Sequence, residues 1–472
     1  MCKPSVDTME LVENKTYNEI NIGDFASLNR TLTQKDINLF ALVSGDTNPT
    51  HIDMEYAAHT SSHKLSGHSM WMGALISNLL GNDLPGAGTV YRSQFLQFYK
   101  TISMGDSITV TVTAKEKRPE DHRIVFDCTA VNSLNNELIC GGTAEVIAPV
   151  EKISRPKVLL PNVHMNIPGS QLRRLIEMTK AFAPIRMAVV HPVDQNSILG
   201  AIEAAKANLI IPVLIGPKDK ILAAAQKENV DISAYELINT EHSHEAARIS
   251  VAMARAGEVD AIMKGSLHTD ELMREAVQRG TGISTARRMS HVFMMDVPSY
   301  PRPLFVTDAA INIDPSFEDK CDIIQSAIEL AHALGNDNPK VALLSAVETV
   351  NPKLRSTMEA AAICKMAHRK QIVGGIIDGP LAFDNAVSME AVEIKGIESE
   401  VAGQADILVV PDLESGNMLA KQLEYMADAQ SSGIVLGARV PMALTSRADT
   451  VLSRMASCAL ALLLVRNKKA KV

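Results

Sequence analysis

Positive charge is in short supply in this chain: 46 lysines and arginines stand against 54 aspartates and glutamates, a net charge of −8. That balance argues against non-specific nucleic-acid binding, which needs a basic surface. Only the tail Arg466-Asn467-Lys468-Lys469-Ala470-Lys471 is strongly basic, and a solvated end accounts for it. Closely spaced cysteines are lacking too. Cys2, Cys128, Cys140, Cys321, Cys364 and Cys458 are scattered with no CxxC spacing, which speaks against disulfides and zinc and fits reduced thiols in the cytoplasm. No metal is expected. The N-terminus has no basic segment followed by an apolar one, so no secretory signal is expected. The apolar run from Ala456 to Val465 is about half the ~20 residues that span a bilayer; it reads as a buried terminal helix, and no membrane contact is expected. Charged residues are few at 21%, against 46% hydrophobic, so cores can form and disorder is not indicated. The 472 residues suggest two or three compact units.

What the sequence does have begins with Gly45-Asp46-Thr47-Asn48-Pro49-Thr50-His51. A carboxylate and an imidazole share one short, bent connection, and such a pair can take a proton from water and deliver one to carbon. The same segment is also an ordinary Asx-Pro turn. Its context favours the chemical reading. Thr33 to Val43 reads as a helix with Thr33 as N-cap and Gly45 as its stop. Ser66 to Ser77 is an apolar run ending at Gly81-Asn82, too uniformly buried for a surface helix. Beyond it the period changes to two: Ile108, Val110, Val112 and Ala114, then Ile124, Phe126, Cys128 and Ala130, then Leu138 to Ile147 after the Asn135-Asn136 turn. One buried helix precedes an antiparallel sheet that can wrap it.

These pieces together, with His68-Ser69-Met70, Leu84-Pro85-Gly86 and Gly105-Asp106, resemble the MaoC-like hydratases of the hot-dog fold over residues 15–150. The resemblance implies an α+β domain that hydrates a trans-2-enoyl-CoA to an (R)-3-hydroxyacyl-CoA. It puts Asp46 and His51 in the catalytic positions, has Asn48 hold the loop, and offers the Ser69 N–H to the thioester oxygen. Ser69 stands where many relatives carry glycine, which narrows the approach.

Residues 151–172, with Pro149, Pro156, Pro161 and Pro168 in and around them, read as a linker. From residue 173 to 468 the grammar is α/β. Met187 to Val190, a helix from Gln195 to Ala207, and Leu209 to Ile215 form a βαβ unit. Further buried runs end in polar residues, so that His191, Lys264, Asp308, Ser345, Asp378 and Asp412 all close strands. Mainly parallel, doubly wound sheets bind ligands beyond their strands' carboxyl ends, so the residues are expected on one active edge.

Three segments suggest anion binding there. Pro411 to Asn417, with Gly416 and Asn417, leads into a helix whose free N–H groups can hold phosphate. Thr445-Ser446-Arg447-Ala448-Asp449 adds a hydroxyl and a guanidinium. Lys264 to Asp270 precedes a helix carrying Arg274. With Asp308, Asn312 and the segment from Asp378 to Asp384, these pieces look like the phosphate acetyl- and butyryltransferases. That resemblance implies two α/β subdomains around a cleft and the exchange of an acyl group between CoA and inorganic phosphate. Ser446, Arg447 and Arg274 take the positions credited with phosphate or acyl phosphate, and Asp449 is the expected base. Both halves would then handle CoA thioesters, with no covalently bound cofactor, in a homo-oligomer. A different reading keeps the first half as hydratase or thioester binder and makes the second an effector-binding module.

Overall fold

The computed structural model describes residues 11–60, 63–158, 169–446 and 449–470. The chain divides into two compact units, Met1–Val163 and His164–Val472.

The first unit is a five-stranded antiparallel sheet in the order Phe25–Thr31, Ser107–Arg118, Arg123–Asn132, Leu138–Ile147, Val90–Phe98. Alternation decides which face is inside. Ile108, Val110, Val112 and Ala114 point inward on one strand, and Ile124, Phe126, Cys128 and Ala130 on the next. Onto this face packs the helix Ser69–Asn82, burying Trp71, Met72, Ile76, Leu79 and Leu80. Each such side chain contributes about 1.5–3 kcal/mol on burial. This is the hot-dog arrangement that the sequence suggests, with two strands the sequence does not announce, Phe25–Thr31 and Val90–Phe98, at the two edges. Within the expected linker, Ser154–Pro156 pairs with Leu11–Glu13, whereas residues 159–168 lie outside the described residues.

The second unit holds one continuous sheet of eleven strands. Glu236–Asn239, Ile210–Gly216, Ile185–Val190, Ala261–Lys264 and Met442–Ala443 form a parallel block. Leu304–Thr307, Ile407–Val409, Lys340–Leu344 and Ile376–Leu381 form another. Between the blocks stand Gln430–Leu436 and Ser290–Asp296, joined through three antiparallel pairings. Three reversals are an odd number, so the two blocks run in opposite directions. The expectation of a single active edge is therefore corrected: His191 and Lys264 leave the sheet at one edge, and Asp308, Ser345 and Asp412 at the other, while Asp378 lies within its strand Ile376–Leu381, opposite Ala342. The run from Ala456 to Val465 lies within the helix Val451–Ala470 and is largely buried against the first block. Among the described residues no helix is long and apolar enough to cross a membrane.

Candidate active sites

The first site forms where the helix Gln34–Ser44 ends. Gly45, at φ 72°, donates its N–H to the Ala41 carbonyl and stops the helix, a conformation open to glycine without strain. Asp46 Oδ1 then accepts the Asn48 N–H at 3.2 Å. Asn48 accepts from the Thr50 N–H at 3.1 Å and so caps the short helix Pro49–Ile52. Wound this way, the turn brings His51 Nε2 to 3.9 Å from Asp46 Oδ2, too far for a direct hydrogen bond but within reach of a shared water. His51 Nδ1 lies 2.8 Å from the Ser66 carbonyl oxygen. A carbonyl only accepts, so in the neutral ring Nδ1 carries the hydrogen and Nε2, toward Asp46, is bare.

His68, which the sequence reading leaves without a role, ties this loop to the central helix. Its ring stacks on His51 with centroids 3.9 Å apart, and Phe40 lies 5.1 Å away on the centroid measure. Its Nε2–H donates to the Asp46 carbonyl at 3.1 Å. The helix that follows starts at Ser69 without a side-chain cap from His68, so the Ser69 N–H is an uncommitted first-turn donor at the positive end of a helix. Asp46, His51 and His68 each offer a ligand atom within 4.8 Å of the others, a set that could hold a metal ion. The His68 nitrogen nearest Asp46 already donates to a backbone carbonyl, which leaves Asp46 and His51 as the two free donors.

The second site gathers at the edge where Ile185–Val190, Ala261–Lys264 and Met442–Ala443 end. Lys264 is buried and directs Nζ at the Thr445 carbonyl, 3.2 Å away. Asp449 Oδ2 accepts the Ser446 N–H at 2.8 Å, and the Asp449 N–H returns to the Ser446 carbonyl at 3.2 Å. Burial pushes the Asp449 carboxyl above the usual carboxylate range, against the Ser446 N–H and the Arg454 charge, which pull it down. Arg447, the guanidinium expected here, lies outside the described residues. His191 joins from the neighbouring strand, its Nδ1 2.9 Å from the Ser266 carbonyl.

The structure brings Lys264, Ser446 and Asp449 together but not the remaining expected ligands. Asp308 is buried and accepts the N–H groups of Ala310, Ile311 and Asn312 as well as the Asn312 side chain. Asn312 also donates to the Met289 carbonyl and accepts from Arg288. Their hydrogen-bonding capacity goes to bracing a loop at the opposite edge. Asp378 accepts from its neighbour Gly379 at 2.8 Å, on a strand separated from Ala261–Lys264 by six others, on the order of 30 Å at about 4.8 Å per strand. At the helix Leu413–Met426 the first-turn N–H of Ser415 is already taken by Asp412. Gly416 is a packing residue: a Cβ there would lie 2.6 Å from Val410 Cγ2 and 3.0 Å from Ala309 Cβ. Asn417 donates to the Ala309 carbonyl at 3.2 Å. Arg274 is exposed in the last turn of the helix Thr269–Val277 and bonds none of these groups.

Sequence reasoning misses Arg454, one turn into the final helix and only 1% exposed. The available signal is a guanidinium directly ahead of the run Met455 to Val465, which is apolar except for Ser457. A cavity of about 790 Å³ lies at the edge where these strands begin, lined by residues such as Asp260, Arg287, Leu436 and Arg439. None of the expected site residues lines it, so its size does not make it the reaction site.

Residues 241–462 match the family model described as phosphate acetyl/butaryl transferase, and residues 23–135 match the one described as MaoC like domain. The phosphate acetyltransferase of Rickettsia felis is 56% identical over 299 residues, 63% of this chain and 86% of that protein. The phosphate butyryltransferase of Clostridium acetobutylicum is 40% identical over 301 residues, 62% of this chain and 100% of that protein. Among solved structures, a branched-chain phosphotransacylase from Enterococcus faecalis is 29% identical with a TM-score of 0.52, covering 60% of this chain and 99% of that one.

Proposed function

Since this chain belongs to the phosphate acetyl/butyryl transferase family and carries a MaoC-like domain ahead of that region, we propose two reactions on CoA thioesters, each run by residues of one unit. The observation that carries the first is the facing of the bare His51 Nε2 and Asp46 Oδ2 across 3.9 Å. His51 Nε2 takes a proton from water while the hydroxide adds to C3 of a trans-2-enoyl-CoA, and the same proton then passes to C2. Asp46 holds the water and offsets the imidazolium charge. The Ser69 N–H receives the thioester oxygen as it gains negative charge. General acid–base catalysis of this kind is worth about 10²–10⁴-fold. Asp46→Asn or His51→Ala is therefore expected to lower crotonyl-CoA hydration by at least about 100-fold. Wild-type turnover in either variant would reject the assignment.

In the second unit the acyl group moves between sulfur and phosphate. From acyl phosphate, Asp449 takes the CoA thiol proton, the thiolate attacks the acyl carbonyl, and the bond to phosphate oxygen breaks; the reverse runs from acyl-CoA. A carboxyl raised by burial suits this task, because a base nearer the working pH holds a transferred proton better. Ser446, Lys264 and Arg447 supply the hydroxyl and the two cations for the phosphate oxygens. CoA acylation from acetyl or butyryl phosphate measures this step, and an Arg447→Ala rate equal to wild type would reject it. The reading is of a cytoplasmic enzyme, in keeping with the five free cysteines among the described residues. A second copy of the chain is proposed along the exposed edge strand Val90–Phe98, which presents Val90, Phe95 and Phe98 to solvent.

A further inference from the structure

Arg454 is the largest fully buried side chain of the molecule among the described residues. Its Nη1 donates to Thr445 Oγ1 at 2.9 Å and lies 3.5 Å from the Lys264 carbonyl oxygen; its Nη2 donates to the Ser446 carbonyl at 2.8 Å. Every acceptor belongs to one of the two segments that build the second site. The stem lies on the helix Gln195–Lys206 at Gly200, where a Cβ would come within 2.7 Å of Arg454 Cδ. Stability alone does not call for this arrangement. A buried charge costs several kcal/mol to desolvate, and an apolar side chain of similar volume often does as well or better. A mid-helix glycine costs about 1 kcal/mol more. Two unfavourable choices converge on placing one cation beneath one turn.

We propose that Arg454 is the positioning residue of the transacylase site: it holds Thr445 and Ser446 in place and supplies the positive field under which Asp449 works as a base. The charges around Asp449 single it out. Lys421 and Glu424, on the helix Leu413–Met426, act on Asp449 in opposite directions and pair with each other at 2.7 Å. Lys264 spends its ammonium group partly on the Thr445 carbonyl. Asp194, the N-cap of Gln195–Lys206, is a second carboxylate acting on Arg454. Both carboxylates act on the guanidinium, and its loss leaves Asp449 buried with less countercharge.

This inference rests on the transacylase reading. The experiment compares wild type, Arg454→Gln and Arg454→Lys for CoA acylation from butyryl phosphate across pH, with hydrogen exchange over residues 445–450 measured in parallel. In Arg454→Gln, kcat is expected to fall at least about ten-fold with the KM for CoA within about three-fold, as loss of charged hydrogen bonds implies. The acid limb of its profile should rise by about one pH unit, and Arg454→Lys should return the limb to its wild-type place. A glutamine variant with wild-type kcat and limb overturns the proposal. If glutamine prevents folding, the lysine variant decides: a lowered kcat with an unmoved limb supports the positioning role, and a wild-type kcat overturns it. If wild type transfers no acyl group, the transacylase reading fails by itself. Exchange then tests the turn alone: about ten-fold faster exchange in the variant is expected, and unchanged exchange rejects the role.

Discussion

The Ser66 carbonyl holds His51 by its Nδ1–H, and the Ser69 N–H waits at the first position of a helix; backbone groups thus set up much of the first site. This gives a way to delete a backbone donor. Proline is tolerated at the first helical position because its missing N–H is not needed for the helix, and His68, at φ −65° and ψ 129°, already has the extended conformation required before proline. Ser69→Pro is expected to reduce crotonyl-CoA hydration by about 10²–10³-fold, the range for one oxyanion donor, with the melting temperature nearly unchanged. A variant as fast as wild type would mean that another group binds the thioester oxygen. Asp46, Asn48 and His51 are legible in sequence because their relation is local, set by one turn over a few residues. His68 and Arg454 are not: the partner of His68 sits 22 positions away at Asp46, and Arg454 reaches back across a helix start to Thr445 and Ser446 and lies beside Lys264, 190 positions away. Asp308 and Asn312 mislead for the complementary reason: a polar pair at a strand end brings its own internal partners, which a sequence does not display.

At the scale of elements, the central strands and buried helices are readable wherever both neighbours are present. Ser107–Arg118 and Arg123–Asn132 alternate cleanly because one face of each meets the core helix. The edge strands Phe25–Thr31 and Val90–Phe98 are largely exposed, so no apolar period marks them. The segment from Pro411 to Asn417 is read correctly as a helix start but wrongly as an anion grip, because Asp412 occupies the first-turn donor. Gly416→Ala separates the two uses of that helix. Overpacking against Val410 and Ala309 is expected to destabilise the second unit by about 1–3 kcal/mol, leaving the KM for phosphate unchanged in protein that remains folded. A raised KM without loss of stability would restore the glycine to the binding site.

Over the whole molecule, two compact units with separate hydrophobic cores predict independent chemistry. Asp46→Asn should leave acyl transfer untouched, and Arg447→Ala should leave hydration untouched; paired assays of both variants check this, and loss of both activities in either would contradict it. Acid should act unevenly. His291 is fully buried in the middle of the second sheet, and burial, outweighing an upward pull from the Leu444 backbone, lowers its pKa from 6.5 to about 4. Above 6.5 the ring is neutral in both folded and unfolded chains. As pH falls toward 4 the unfolded chain takes up a proton that the folded one refuses, so the second unit should lose up to about 3 kcal/mol. His291→Phe, compared with wild type in denaturant titrations at pH 7 and 4.5, should flatten this dependence; parallel losses would assign acid sensitivity elsewhere. The order and direction of the eleven strands were beyond sequence reading, because parallel runs look alike whichever way they are laid.

The edge strand Val90–Phe98, open along its outer side, has a further consequence. If two copies pair along it as antiparallel strands about a twofold axis, hydrogen-bonded and non-hydrogen-bonded positions alternate, so the axis passes beside one residue, which meets its own counterpart. Single cysteines walked from Tyr91 to Gln97 should therefore give an intermolecular disulfide at one place, which turns the register of self-association into a gel band. A walk with no such band would mean that copies of the chain meet elsewhere.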